Sequence, residues 1–178
     1  MGKNLKLQNL FVVAASYLFY GWWDWRFLFL IAFTTICSFL NALAIKKNQD
    51  DGSYNLAKAF SAGNIIINLA ILGVFKYYNF FAESLQELLN NFNYTLDYPT
   101  LNIILPVGVS FYTFQALSYT IEVYRGKLEP TKDPVAFFAF ASFFPQLVAG
   151  PIERATNLLP QFQKTRHFDL LLSDKRKK

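Results

Sequence analysis

Charge is absent from five stretches of this chain and crowds the segments between them. Residues 7–23, 27–45, 59–75, 101–121 and 134–152 contain no Asp, Glu, Lys or Arg. A helix that crosses a bilayer needs roughly 17–25 mostly apolar residues, because lipid offers no partner to an exposed backbone. A soluble helix instead carries charge along one face with a 3.6-residue period. The pattern therefore predicts an all-α, polytopic integral membrane protein with about four transmembrane helices and a fifth segment that is broken or re-entrant.

Details within the stretches refine this. The first ends in Tyr20, Gly21, Trp22, Trp23, Asp24 and Trp25, bulky rings suited to the headgroup layer and unlike the small residues of a signal cleavage site. It reads as a retained helix. The fifth contains Pro145, Gly150 and Pro151, and proline both removes a donor and clashes with the preceding turn. It is expected to enter, break near Pro145 and turn back; the alternative is a kinked full span. Lys3, Lys6, Lys46, Lys47 and the tail Lys175, Arg176, Lys177 and Lys178 belong inside by the positive-inside rule. The loop 79–100, with Glu83, Glu87 and Asp97, belongs outside.

Polar positions inside the stretches carry the candidate chemistry. Asn64 and Asn68, four apart, share a helix face and can hydrogen-bond a neighbouring helix. In the fourth stretch Ser110, Thr113 and Thr120 fall on one side, and Gln115, Ser118 and Glu122 fall roughly opposite. A helix polar on two opposed faces should be enclosed by protein or line a hydrated path. Pro106 and Gly108 stand near its start, where proline is tolerated.

Composition excludes some alternatives. The net charge of +5 comes from basic residues that flank apolar runs, with no basic face interleaved with stacking aromatics, so nucleic acid is not an expected partner. The lone Cys37 cannot pair within the chain. No phosphate-cradling glycine loop or cluster of metal ligands occurs, and no metal is expected. The single histidine, His167, lies between Arg166 and Phe168 and reads as a solvated surface residue.

Three runs add a resemblance. Residues 105–119 (LPVGVSFYTFQALSY) with 122–126 (EVYRG), residues 143–152 (FFPQLVAGPI) continuing into Glu153 and Arg154, and residues 16–23 (SYLFYGWW) resemble the membrane-bound O-acyltransferase family, in its bacterial alginate O-acetyltransferase branch. The resemblance implies a multi-pass protein of the bacterial inner (plasma) membrane. It also implies an enzyme that moves an acyl group, typically acetyl, to a hydroxyl, usually of an extracytoplasmic polysaccharide and often through a partner protein. Acetyl-CoA or another acyl donor would be substrate, with no bound cofactor. The donor would arrive from the cytosol and the acceptor from outside, so the two would meet within the bilayer.

The family's proposed catalytic histidine lies in a Trp- and Arg-rich stretch downstream of the Gly-Pro motif. Residues 1–178 would then be the N-terminal portion of the domain, truncated before the catalytic region. No catalytic residue is assigned, and the chain alone is expected not to transfer acetyl groups. Ser110, Gln115, Arg125, Gln146 and Arg154 are expected to line the conduit, with Pro145, Gly150 and Pro151 shaping its backbone. A non-catalytic fragment or partner subunit is an alternative reading, as is a transporter piece, although no inverted repeat supports the last.

Overall fold

A computed structural model describes residues 4–91, 108–150 and 153–164, and every element among them is helical. Asp97, Pro106, Pro151, His167 and the basic tail lie outside the described residues. Helix α1 (Leu5–Trp23) and helix α2 (Arg26–Asp50) meet at the expected aromatic turn. There the Asp24 amide donates to Tyr20 O at 3.1 Å, closing α1. The Asp24 carboxylate accepts from Arg26 N and from the Arg26 guanidinium, both at 2.9 Å, and so opens α2. These bonds, the side-chain one foremost, hold the Asp24 carboxyl below the usual carboxylate range.

Helix α3 (Tyr54–Asn91) is 38 residues long, about 57 Å against a hydrocarbon core of about 30 Å. The loop expected from position 79 is therefore helical as far as Asn91. Residues 76–91 contain neither Gly nor Pro and are rich in good helix formers such as Leu, Glu and Gln. The loss of apolar character marks where the helix would leave lipid, and the helix does not end there. In the same way α2 runs past position 45 to Asp50.

Two described helices are long and apolar enough to cross a membrane: α2, and α3 over Tyr54–Tyr78. Their surface is inverted relative to a water-soluble bundle. Phe29, Phe33, Leu40 and Ile66 face outward, whereas Ser38, Asn64, Asn68 and Thr120 are each 0% exposed. Water-soluble folds bury the first kind and expose the second; an apolar exterior of this extent suits lipid or other protein.

The buried polar residues form a lock between helices. Asn64 Nδ2 donates to Thr120 Oγ1 at 2.6 Å and to Ser38 Oγ at 3.3 Å. Its Oδ1 accepts from Asn68 Nδ2 at 3.2 Å. One side chain of α3 thereby joins α2 to helix α4 (Val109–Tyr124). The expectation of bonding to a neighbouring helix is met at Asn64, the hub, whereas Asn68 donates only within α3, to Asn64. Gly108 precedes α4 with φ 77°, a left-handed conformation that a Cβ would penalise.

The fifth stretch divides into α5 (Pro134–Ala141) and α6 (Phe144–Ala149), followed by α7 (Ala155–Phe162). The break falls at Ser142–Phe143, ahead of Pro145. A proline ring collides with the carbonyl four residues earlier, here that of Ala141, so α5 must end there. Pro145 then occupies the first turn of α6, where its missing N–H is not needed. At eight residues, about 12 Å, α5 is too short to cross a bilayer.

Asp133 caps α5, with Oδ1 accepting from Val135 N at 2.9 Å and Ala136 N at 3.4 Å. Asp133→Ala is expected to destabilise the fold by about 1 kcal/mol, and Asp133→Asn by much less. Thermal unfolding in detergent measures both. At the same end, Lys46 Nζ reaches Glu129 at 3.0 Å and Gln49 Nε2 donates to Tyr124 O at 2.7 Å. The end of α2 and the connection after α4 thus sit together.

Candidate functional site

Breaking a helix inside a bundle leaves carbonyls at the end of α5 and amides at the starts of α6 and α7 without intrahelical partners. Side chains from α1 and α4 supply them. Gln115 Nε2 donates to Phe140 O at 3.0 Å. Phe144 N donates to Ser16 Oγ, and Ala155 N to Ser118 Oγ, both at 3.4 Å. Thr156 N donates to Glu122 Oε2 at 2.9 Å. The Glu122 carboxylate therefore sits at the amino end of α7, where the helix dipole favours negative charge. Asn9 Nδ2 donates to Phe162 O at 2.7 Å, closing the other end of α7.

Gln115, Ser118 and Glu122 follow one stripe of α4 at i, i+3 and i+7, and all three support the broken segment. Thr120, on the other polar side, engages α3. One polar face thus splints a discontinuous backbone, and the other locks helix to helix at Thr120, while the Thr113 hydroxyl is buried without a partner among the described residues. The enclosure expected for α4 is present, with Thr113, Gln115 and Thr120 at 0%, 2% and 0% exposure.

The candidate residues do not form one constellation. Gln115 is at the break, and Gln146 is buried in α6. Ser110 is half-buried in the first turn of α4, and Pro145 is exposed. Arg125 ends α4 about 22 Å along the helix from Ser110; Arg154 precedes α7, and both arginines are exposed. Gly150 packs so closely that an added Cβ would lie 2.7 Å from Gln146 Cα.

One grouping was missed at the level of sequence. Tyr20, Ile31, Leu72, Val109 and Tyr112 form a buried cluster against which Tyr17, Phe111 and Phe144 pack. The Phe19 and Phe144 rings stack at 5.1 Å. Members of all three resemblance-bearing runs therefore meet at the tip of the broken segment. The hydroxyls of Tyr17, Tyr20 and Tyr112 are buried there with no hydrogen-bond partner among the described residues. The available signal was a phenol hydroxyl within an apolar run, since a buried Tyr O–H ordinarily finds a partner.

Comparison with known proteins gives this arrangement its context. The protein named "Probable alginate O-acetylase AlgI" from Pseudomonas aeruginosa is 37% identical over 162 residues, covering 91% of this chain and 31% of that protein. Over nine-tenths of its length the chain is similar to proteins named as alginate O-acetylases. The protein of the same name from Azotobacter vinelandii is 36% identical over 91% of this chain and 32% of its own length. The "Peptidoglycan O-acetyltransferase" of Helicobacter pylori is 31% identical over 90% of this chain and 34% of its own length. The chain spans about a third of the length of the curated relatives it matches. No protein-family model matches the chain, and no solved structure matches it.

Proposed function

We propose that this chain is the N-terminal, membrane-embedded portion of an enzyme that transfers acetyl groups to hydroxyls of an extracytoplasmic polysaccharide. The observation that carries the reading is the similarity, along nine-tenths of the chain, to proteins named for O-acetyl transfer. Those names do not favour the transporter or partner-subunit alternatives. In this reading α1 to α4 each cross the inner membrane, with the Lys46–Lys47 end of α2 in the cytoplasm.

The segment after α4 is read as re-entrant. Thr131 N bonds Tyr119 Oη at 3.1 Å just before α5, and Ala155 N bonds Ser118 Oγ at the start of α7. Both ends of the excursion therefore reach the same turn of α4, which supports entry and return on one side. Ser110, Gln115 and Gln146, with the backbone at Pro145 and Gly150, would wall the path where donor and acceptor meet. Arg125 and Arg154, exposed at the other end of α4, would face an anionic donor such as acetyl-CoA arriving from the cytosol. A base elsewhere in the enzyme would take the acceptor's proton as its oxygen attacks the thioester carbonyl, and exclusion of bulk water would limit hydrolysis.

The test is acetyl transfer from radiolabelled acetyl-CoA to alginate or peptidoglycan by membranes containing the complete encoded protein. Labelled acceptor above the level of empty membranes is expected, and residues 1–178 alone should give none. Unlabelled acceptor with the complete protein would overturn the proposal.

A further inference from the structure

The turn between α1 and α2 leaves more aromatic surface in the open than a chain reversal requires. Trp22 is 90% exposed and Trp25 64%. With Gly21, Asp24 and Arg26 they line an open cleft of about 500 Å³, within the roughly 300–1,000 Å³ of small-molecule sites. The Trp25 ring is braced by the Phe29 ring, edge-on at 6.0 Å.

The same cleft carries an oriented set of donors. The Asp24 carboxylate takes Arg26 Nε at 3.1 Å and Nη2 at 2.9 Å, a fork that occupies one edge of the planar guanidinium. Of the five guanidinium N–H groups, both on Nη1 and the second on Nη2 bond nothing among the described residues, and the side chain is 66% exposed. Asp24 therefore fixes these donors in place while offsetting their charge. Indoles that only anchor a helix among headgroups need neither a concavity nor such an edge.

The chemistry of the occupant follows from these groups. An aromatic face is negative and suits the C–H face of a sugar ring, and donors whose charge is already matched suit its hydroxyl oxygens. A phosphate or lipid headgroup calls instead for a free positive charge, which the pairing with Asp24 removes. Arg26 and Lys46 are 20 residues apart on α2, about 30 Å, the thickness of a hydrocarbon core. The cleft thus opens on the face opposite the Lys46–Lys47 end, the side assigned above to the acceptor. It begins one turn of α1 beyond Phe19, whose ring stacks at 5.1 Å on Phe144, the first residue of α6.

We infer that the cleft bordered by Trp22, Trp25 and Arg26 is a docking platform for the acceptor polysaccharide, where a sugar ring lies against the indoles and its hydroxyls take the free N–H groups of Arg26. This rests on the function proposed above and deepens it. The platform holds the chain near the broken segment and takes no part in the chemistry.

The test is calorimetric titration of the complete protein in detergent, without acetyl donor, using an alginate hexasaccharide and a peptidoglycan glycan-strand fragment as probes. Trp22→Ala removes an exposed ring, and Arg26→Lys keeps the charge but loses the planar fork. Phe33→Ala is the control, an exposed aromatic of α2 outside the cleft. The wild type should bind at least one probe. Each cleft variant should bind it about tenfold more weakly, the order of one aromatic or charge-assisted contact, and Phe33→Ala should match the wild type. In the transfer assay, KM for acceptor should rise about tenfold in the cleft variants while KM for acetyl-CoA stays constant. Trp22 supports little packing at its exposure, so its variant decides even where Arg26→Lys weakens the turn. Unchanged affinity in Trp22→Ala would mean that the indoles anchor the helices and nothing more, and would overturn the inference. So would binding of neither probe by the wild type, or an equal loss in Phe33→Ala. The two proposals fail separately. Normal transfer with unaltered KM removes the platform alone, whereas Trp22-dependent binding without transfer removes the enzymatic reading alone.

Discussion

Replacing Gly150 by alanine is expected to disrupt the tip of the broken segment and destabilise the protein by about 2–3 kcal/mol, the upper part of the range of about 1–3 kcal/mol for forcing atoms into a packed site. The cause is proximity. Gly150 has φ −89° and ψ 159°, a conformation open to any residue. Its missing Cβ would lie 2.7 Å from Gln146 Cα, 2.9 Å from Gln146 Cγ and 3.0 Å from Gln146 O. Two of those three atoms are backbone, so no rotamer change relieves the clash. The same turn is closed by the Gly150 amide donating to Gln146 O at 2.9 Å, and separating the two strains that bond. Under the function proposed above, acetyl transfer should fall as well, by about 100-fold for a misplacement of about 1 Å. Gly63→Ala is the control, since nothing lies within 4 Å of the position its added methyl would take and alanine is the better residue within a helix. It should leave stability unchanged or raise it. Unfolding temperatures in detergent, with Gly150→Ala no lower than Gly63→Ala, would refute the close-packing argument.

Asn64→Leu should cost about 1 kcal/mol through a different route. Asparagine at this position links Thr120, Ser38 and Asn68, and polar contacts between membrane helices average about 0.6 kcal/mol each. Losing the two that reach α2 and α4 gives the figure; the Asn68 contact lies within α3. Thr120→Val removes one link from the hub and should cost about 0.6 kcal/mol. In the double variant the Thr120 substitution should add little, because its partner has gone. Strict additivity in that cycle would show that the 2.6 Å contact between Asn64 and Thr120 carries no energy.

Much of the architecture was legible in the distribution of charge. The turn between α1 and α2, the body of α2 and the discontinuity after α4 all fall where charge-free stretches and proline positions put them. The length of α3 was not legible from apolar content, because Lys76, Glu83 and Glu87 are compatible with a helix and incompatible only with lipid. The break lies ahead of Pro145 because the ring acts backward on residue 141. The two polar faces of α4 were visible as faces, but their partners are residues 64, 140, 155 and 156, contacts that no local pattern encodes. The tyrosines escaped notice because an aromatic ring in an apolar run looks complete without its oxygen.

The splinting of α5 to α7 by α1 and α4 also orders events during biogenesis. The unmatched backbone of the excursion is ruinous in bare hydrocarbon, where each unsatisfied group costs several kcal/mol. Ser16, Gln115, Ser118 and Glu122 all precede residue 134 in the chain and so leave the ribosome first. The excursion can therefore settle only into a bundle already assembled from earlier helices. On the membrane-embedded reading proposed above, α5 to α7 would stay hydrated until then, and the protein would mature from its earlier helices towards its later ones.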